Sequence, residues 1–167
     1  KPMSRCFTVA ILSDIHYAGP IEQARGDEFE FSRIQNPLIR WFARILRNVG
    51  WAGRPTRHNG QLTRFFEAVG EPDWVIANGD LGCDAASLGL ADDGTLESAN
   101  ECAAILRARF DSRLRFTIGD HELGKLSLWG DRGEMSLESW RRCLADLALE
   151  SCWKLELGNY ALLGVAG

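Results

Sequence analysis

Short continuous apolar runs alternate along this chain with stretches whose apolar residues recur at helical spacing, and the alternation sets an order of elements. The runs Phe7-Thr8-Val9-Ala10-Ile11-Leu12, Trp74-Val75-Ile76-Ala77 and Leu114-Arg115-Phe116-Thr117-Ile118 predict strands. Over 37–50, Leu38, Trp41, Phe42, Ile45, Leu46 and Val49 form one stripe, with Pro37 in the first turn and Gly50 as the stop. A shorter helix is expected over 61–69, closed by Gly70 and Pro72. Thr95 is expected to cap a helix that turns Ala99, Cys102, Ala103, Leu106 and Phe110 inward. Ser136 is expected to cap another, with Leu137, Trp140, Leu144 and Leu147 as its apolar face. Residues 152–157 and 160–165 read as a hairpin turning at Gly158-Asn159. The polar stretch 18–28, the Gly-, Pro- and Arg-containing segment 51–60 and the segments 85–94 and 123–133 read as loops.

This order predicts an α/β fold with a largely parallel sheet, whose functional loops gather at the carboxyl ends of the strands. The 167 residues suffice for one domain with a hydrophobic core and are few for two. The apolar run 161–167 reads as a core strand with no return helix, so the expectation is a single domain over 1–167 forming the amino-terminal portion of a longer fold.

Charge and cysteine usage narrow the function classes. A net charge of −4 carries no nucleic-acid footprint, and acids gathered in one mouth would recruit a cation first and an anionic substrate through it. The cations are nearly all arginine, with lysine only at positions 1, 125 and 154. No apolar stretch approaches the ~20 residues needed for a membrane span, and no secretory h-region precedes the first strand. The five cysteines are odd in number, widely spaced and without a Cys-x-x-Cys pair, which argues against a disulfide framework or a zinc knot. Cys6, Cys102, Cys143 and Cys152 are expected as small buried hydrophobes in a reducing, cytoplasmic compartment.

The candidate chemistry lies directly after the three strands. Asp14-Ile15-His16 offers a carboxylate and an imidazole two residues apart, which point the same way in extended geometry. Gly79-Asp80 sets an acid behind a glycine that lets backbone approach a ligand, and Asp84 follows as a binding or orienting acid. In Gly119-Asp120-His121-Glu122, Asp120 and His121 can reach one centre, while Glu122 is expected to turn back onto backbone amides or the neighbouring imidazole. Each patch alone has a plain reading, as a capping acid, a turn carboxylate or an acidic helix start. Three such patches at one sheet edge put hard oxygen and nitrogen donors side by side, as a cation site requires.

Together the patches resemble the signature of the calcineurin-like metallophosphoesterases: Asp-x-His, then Gly-Asp-x-x-Asp, then Gly-Asn-His-(Asp/Glu), each after a strand. The likeness runs from Phe7 to Glu122. It implies an α/β/β/α sandwich, incomplete at its carboxyl end, and a centre of two divalent ions (Mn, Fe or Zn). Asp14 and His16 would bind the first ion, Asp80 would bridge both, and Asp120 would bind the second. His121 would stand over the scissile phosphate as the catalytic residue, with Asp84 and Glu122 supporting. The implied reaction is hydrolysis of a phosphate ester, a small molecule or nucleotide-like substrate, by a hydroxide generated at the paired ions.

The chain departs from that pattern at three places. Position 120 is Asp where the family has Asn, Cys83 stands where the second motif has its later Asp, and none of the three histidines follows His121. The family's closing Gly-His-x-His is therefore absent from these residues, and His58 precedes the second strand. Four of the expected protein ligands remain, which leaves room for an alternative: a non-catalytic module of the same fold that keeps half a site. A Ser or Cys hydrolase is disfavoured, because no Gly-x-Ser-x-Gly elbow occurs and the acidic setting of Cys83 would raise a thiol pKa. Substrate identity and oligomeric state have no sequence marker here.

Overall fold

The apolar runs form three short parallel strands, β1 (Val9–Leu12), β2 (Trp74–Asn78) and β3 (Leu114–Thr117), hydrogen-bonded in the order β1-β2-β3. The computed structural model describes residues 6–26, 28–50, 55–83, 88–124 and 135–166. Its helices are α1 (Pro20–Arg25), α2 (Pro37–Gly50), α3 (Gly60–Val69), α4 (Asp93–Phe110), α5 (Asp120–Leu123) and α6 (Leu137–Ala145). A hairpin of β4 (Cys152–Leu157) and β5 (Tyr160–Val165) closes the series.

Strand register decides what each face of the sheet meets. Ala10 pairs with Val75 and Val75 with Leu114, while Leu12 pairs with Ala77 and Ala77 with Phe116, so these six side chains share one face. That face enters the main core with Leu62 of α3, Leu106 and Phe110 of α4, and Cys143 of α6. The opposite face, through Val9, Trp74 and Ile76, packs on Trp153, Leu155 and Leu162 of the hairpin. The protein is thus mixed α/β, with a small parallel sheet covered by helices on one side and by a hairpin on the other. Trp153 fixes that second layer. Its indole N–H donates to the Phe116 carbonyl at 2.6 Å, and its ring occupies the space where a side chain on the paired Gly164 would stand.

Four expectations are corrected. The stretch 18–28 contains a helix, α1, seeded by Pro20 at its first position. Asp92 rather than Thr95 caps α4: its extended backbone lets Oδ1 accept the Thr95 amide at 3.0 Å, and Thr95 falls inside the first turn. The stripe on α2 forms but faces outward, because the helix packs chiefly against the 3₁₀ turn Phe29–Arg33 and buries only Ala43 among its described side chains. On α6 the inward face is Ser139 and Cys143, with Leu147 buried just beyond the helix, whereas Leu137 and Leu144 are exposed. The Ser139 hydroxyl accepts the Ala91 amide at 3.1 Å, so a polar contact sets the helix's rotation.

Of the cysteines, Cys83, Cys102 and Cys143 are buried thiols. Cys6 and Cys152 are exposed instead of buried, Cys152 because it lies on the outer side of the hairpin. Asp84, residues 85–87 and residues 125–133 lie outside the described residues, while 88–94 holds a 3₁₀ turn (Gly89–Ala91) and the start of α4 in place of the expected loop. Among the described residues, no helix is long and apolar enough to cross a membrane.

Candidate metal centre

The three strand ends meet at one edge of the sheet. Past β1 and β2 the chains keep pairing: the His16 amide donates to the Asp80 carbonyl and the Tyr17 amide to the Leu81 carbonyl, each at 2.8 Å. This ladder beyond the strands holds the first two patches in register. Asp14 and His16 do not lie in extended backbone as expected; both are left-handed, at φ 52° and 47°. Asp80 is left-handed as well, at φ 55°, behind Gly79 at φ 77°. Such conformations are uncommon outside glycine and cost on the order of 1–3 kcal/mol each. Three of the five such residues described belong to the candidate site.

The third patch opens α5, and Glu122 ties it to the second. This carboxylate is buried and accepts three backbone amides, from Asp80 at 2.8 Å, Leu81 at 2.6 Å and Gly119 at 2.9 Å. Burial pushes its pKa up to about 7, against the pull of those three donors. Gly79 and Gly119 make the contact possible: a Cβ on Gly79 would stand 2.5 Å from the Gly119 nitrogen, and one on Gly119 would run into the Asp80 carboxylate. The Asp80 Oδ1 in turn accepts the His121 amide at 3.2 Å.

With the backbone so placed, ligand-capable atoms of His16, Asp80 and His121 lie within 4.8 Å of one another. The two imidazoles meet edge to face, with centroids 4.8 Å apart. His16 Nδ1 lies 3.3 Å from the Gly82 carbonyl; a proton there leaves Nε2 as the lone-pair nitrogen. Nε2 stands 4.0 Å from the Asp14 carboxylate, which is largely exposed. Asp120 and Asp14 are near enough for their charges to act on Asp80. Burial foremost raises the Asp80 pKa, those two carboxylates add to the rise, and the His121 amide and the His16 ring oppose it.

The donor set fits a divalent cation. Two imidazoles and a carboxylate from separate segments, with further carboxylates beside them, are donors of the kind that suit Mn, Fe or Zn. Of the residues named from the sequence, the structure brings His16, Asp80 and His121 into one cluster, sets Asp14 and Asp120 at its margin, and places Glu122 behind it as a backbone tie. His58 stands apart from the cluster, in the turn that leads into α3.

Sequence reasoning missed a second buried carboxylate. Glu22 on α1 accepts the Cys83 amide at 3.0 Å and the Thr95 hydroxyl at 3.3 Å, pinning the loop after Asp80 to α4. Asn59 similarly grips both backbone groups of Ala18, which follows the first patch. The only signal for Glu22 was Pro20 two residues earlier, which marks a helix start. The buried thiols of Cys102 and Cys143 are pushed up to about 12, mainly by burial and further by Glu122, so neither is a nucleophile. Comparison with protein-family models, curated proteins and solved structures finds no match to this chain.

Proposed function

We propose that this chain carries the metal-binding edge of a metal-dependent phosphoesterase, built on the α/β/β/α plan that the three motifs resemble. The observation that carries the reading is the convergence of His16, Asp80 and His121 from three segments far apart in sequence. The hairpin on the second face of the sheet is compatible with that plan. His16 and Asp14 would hold one ion, Asp80 would face both, and Asp120 would serve the second. Bound divalent ions would supply charge neutralisation at a phosphoryl group and a lowered pKa for water. Within that setting Asp80 orients the centre through its bond to the His121 amide, and Glu122 fixes the two loops against each other. His121 donates a proton to the departing ester oxygen, a role worth typically 10²–10⁴-fold in rate.

One observation favours a second reading. Among the described residues a single three-ligand group is found, which suits one ion and a binding module without turnover. Metal analysis and assay of the purified protein separate the two. The enzyme reading expects about two equivalents of Mn, Fe or Zn and hydrolysis of a nitrophenyl phosphate ester. Asp80→Asn should lose most metal and activity, and His121→Ala should keep the metal and lose at least about 10²-fold in turnover. Retention of one ion with no hydrolysis would select the binding module. Failure to retain any divalent ion would overturn both.

A further inference from the structure

From residue 31 to residue 66 the chain holds seven arginines and no aspartate or glutamate; all 23 acids of this net-negative protein lie outside that stretch. In its middle sits α2, whose apolar side chains face water: Val49 is 85% exposed, Leu38 76% and Trp41 62%, with Phe42, Ile45 and Leu46 also outward. At 100° per residue these six fall on one arc of the helix, and positions 40 and 44, both arginine, fall on the other. Arg40 donates to the Ile34 carbonyl at 2.8 Å and Arg44 pairs with Glu28, so the arginine side is the one that grips the protein. Single exposed apolar residues need no explanation, but a contiguous patch of this kind marks a docking surface.

We infer that α2 is a peripheral membrane anchor that lies flat on an anionic lipid surface. Its 14 residues rise about 21 Å, less than the ~30 Å hydrocarbon core, so it cannot span a bilayer. A short helix that turns Trp, Phe and Leu outward, has little net hydrophobicity and lies within an arginine-rich, acid-free stretch is built to sit in the interfacial plane. The positive charge continues beyond both ends of the helix, which suits a field of many headgroups better than a single carboxylate partner. A second copy of this chain is disfavoured, since a two-fold contact through α2 would set the same arginine-rich stretch against itself. The acids elsewhere in the chain would be repelled by the same surface and so would orient the protein with α2 downward. None of this depends on the metal centre.

Co-sedimentation of the protein with vesicles of phosphatidylcholine alone, and of an equimolar mixture with phosphatidylglycerol, tests the inference. Partition into the mixed vesicles should exceed that into the neutral ones by about tenfold, and should weaken as salt is added. The double variant Leu38→Ser/Val49→Ser, at the two most exposed positions of the helix, should lose about tenfold in partition with its circular dichroism and melting temperature unchanged. Trp41→Ser, at the exposed tryptophan, serves as a second variant if the first is poorly folded. Absence of sedimentation with either vesicle, equal partition into both, or variants that bind like the parent would overturn the anchor. So would a lipid-free dimer, seen by light scattering and abolished by the same variants, which would make α2 a self-association face.

Discussion

Asp14, His16 and Asp80 stand on left-handed backbone, and each needs a neighbour that can follow. Gly79 is the tightest of these neighbours, because its φ of 77° and its approach to the Gly119 nitrogen both exclude a side chain. Gly79→Ala should therefore destabilise the fold by at least about 2 kcal/mol, combining left-handed strain with a displaced α5, and should weaken Mn binding with it. A denaturant titration and a metal-binding isotherm read the two effects; an unchanged denaturation midpoint would refute the steric account. At this scale the sequence was legible in its ionisable groups, since acids and imidazoles after apolar runs are visible without a structure. The left-handed turns were not, because Asp and His adopt them only weakly by preference and the turn is imposed by the ladder between His16 and Asp80. Glu22 was hidden for another reason: a lone acid in a polar stretch carries no periodic mark, and its burial comes from α4 closing over it.

Among the elements, α1 and α4 are joined by several contacts, and Asp92 is central to them: it caps α4 and pairs with Arg25 at 2.5 Å. Burial alone would raise the Asp92 pKa, but the Arg25 ion pair and the Thr95 hydrogen bonds together outweigh it and hold the carboxyl below its ordinary value. A depressed folded pKa gives stability that is present above the unfolded pKa of about 3.9 and is lost as pH falls through the folded value. Asp92→Ala should cost about 1 kcal/mol near neutral pH, and the gap between parent and variant should narrow below about pH 4. Thermal unfolding at pH 7 and at pH 3 checks this; an undiminished gap at the lower pH would show that the charge is irrelevant. Element types were readable because strand runs and helical periods differ in spacing. Orientation was harder. On α2 the period revealed an apolar side but not which side meets water, and on α6 the Ser139 contact with Ala91 outranked the leucines.

For the whole molecule, the two faces of the parallel sheet are closed by different means, and the hairpin closes its face mainly through Trp153. Trp153→Ala removes the indole that fills the gap over Gly164 and leaves the Phe116 carbonyl without that donor. The expected loss is about 3–5 kcal/mol, in the range of large core truncations. Greater protease sensitivity around 152–165, alongside a lowered melting temperature, would locate the damage to the hairpin; loss of less than about 1 kcal/mol would mean the layer is held elsewhere. The parallel order and the hairpin were legible from strand spacing and the Gly158-Asn159 turn. The packing of the hairpin onto the β1–β3 face was not, since it depends on Trp153 meeting a strand 37 residues away.

The left-handed residues at the strand ends also set what a search for heat resistance would do to this protein. Positions 14 and 16 carry candidate ligand side chains on backbone that glycine adopts freely, and the exposed Asp14 side chain gives up little packing when removed. Selection for thermal survival alone would favour glycine there, and the hardier descendants would have lost the candidate cation site. Under the proposed metal-binding role, stability and ligand capture are opposed at the same two codons.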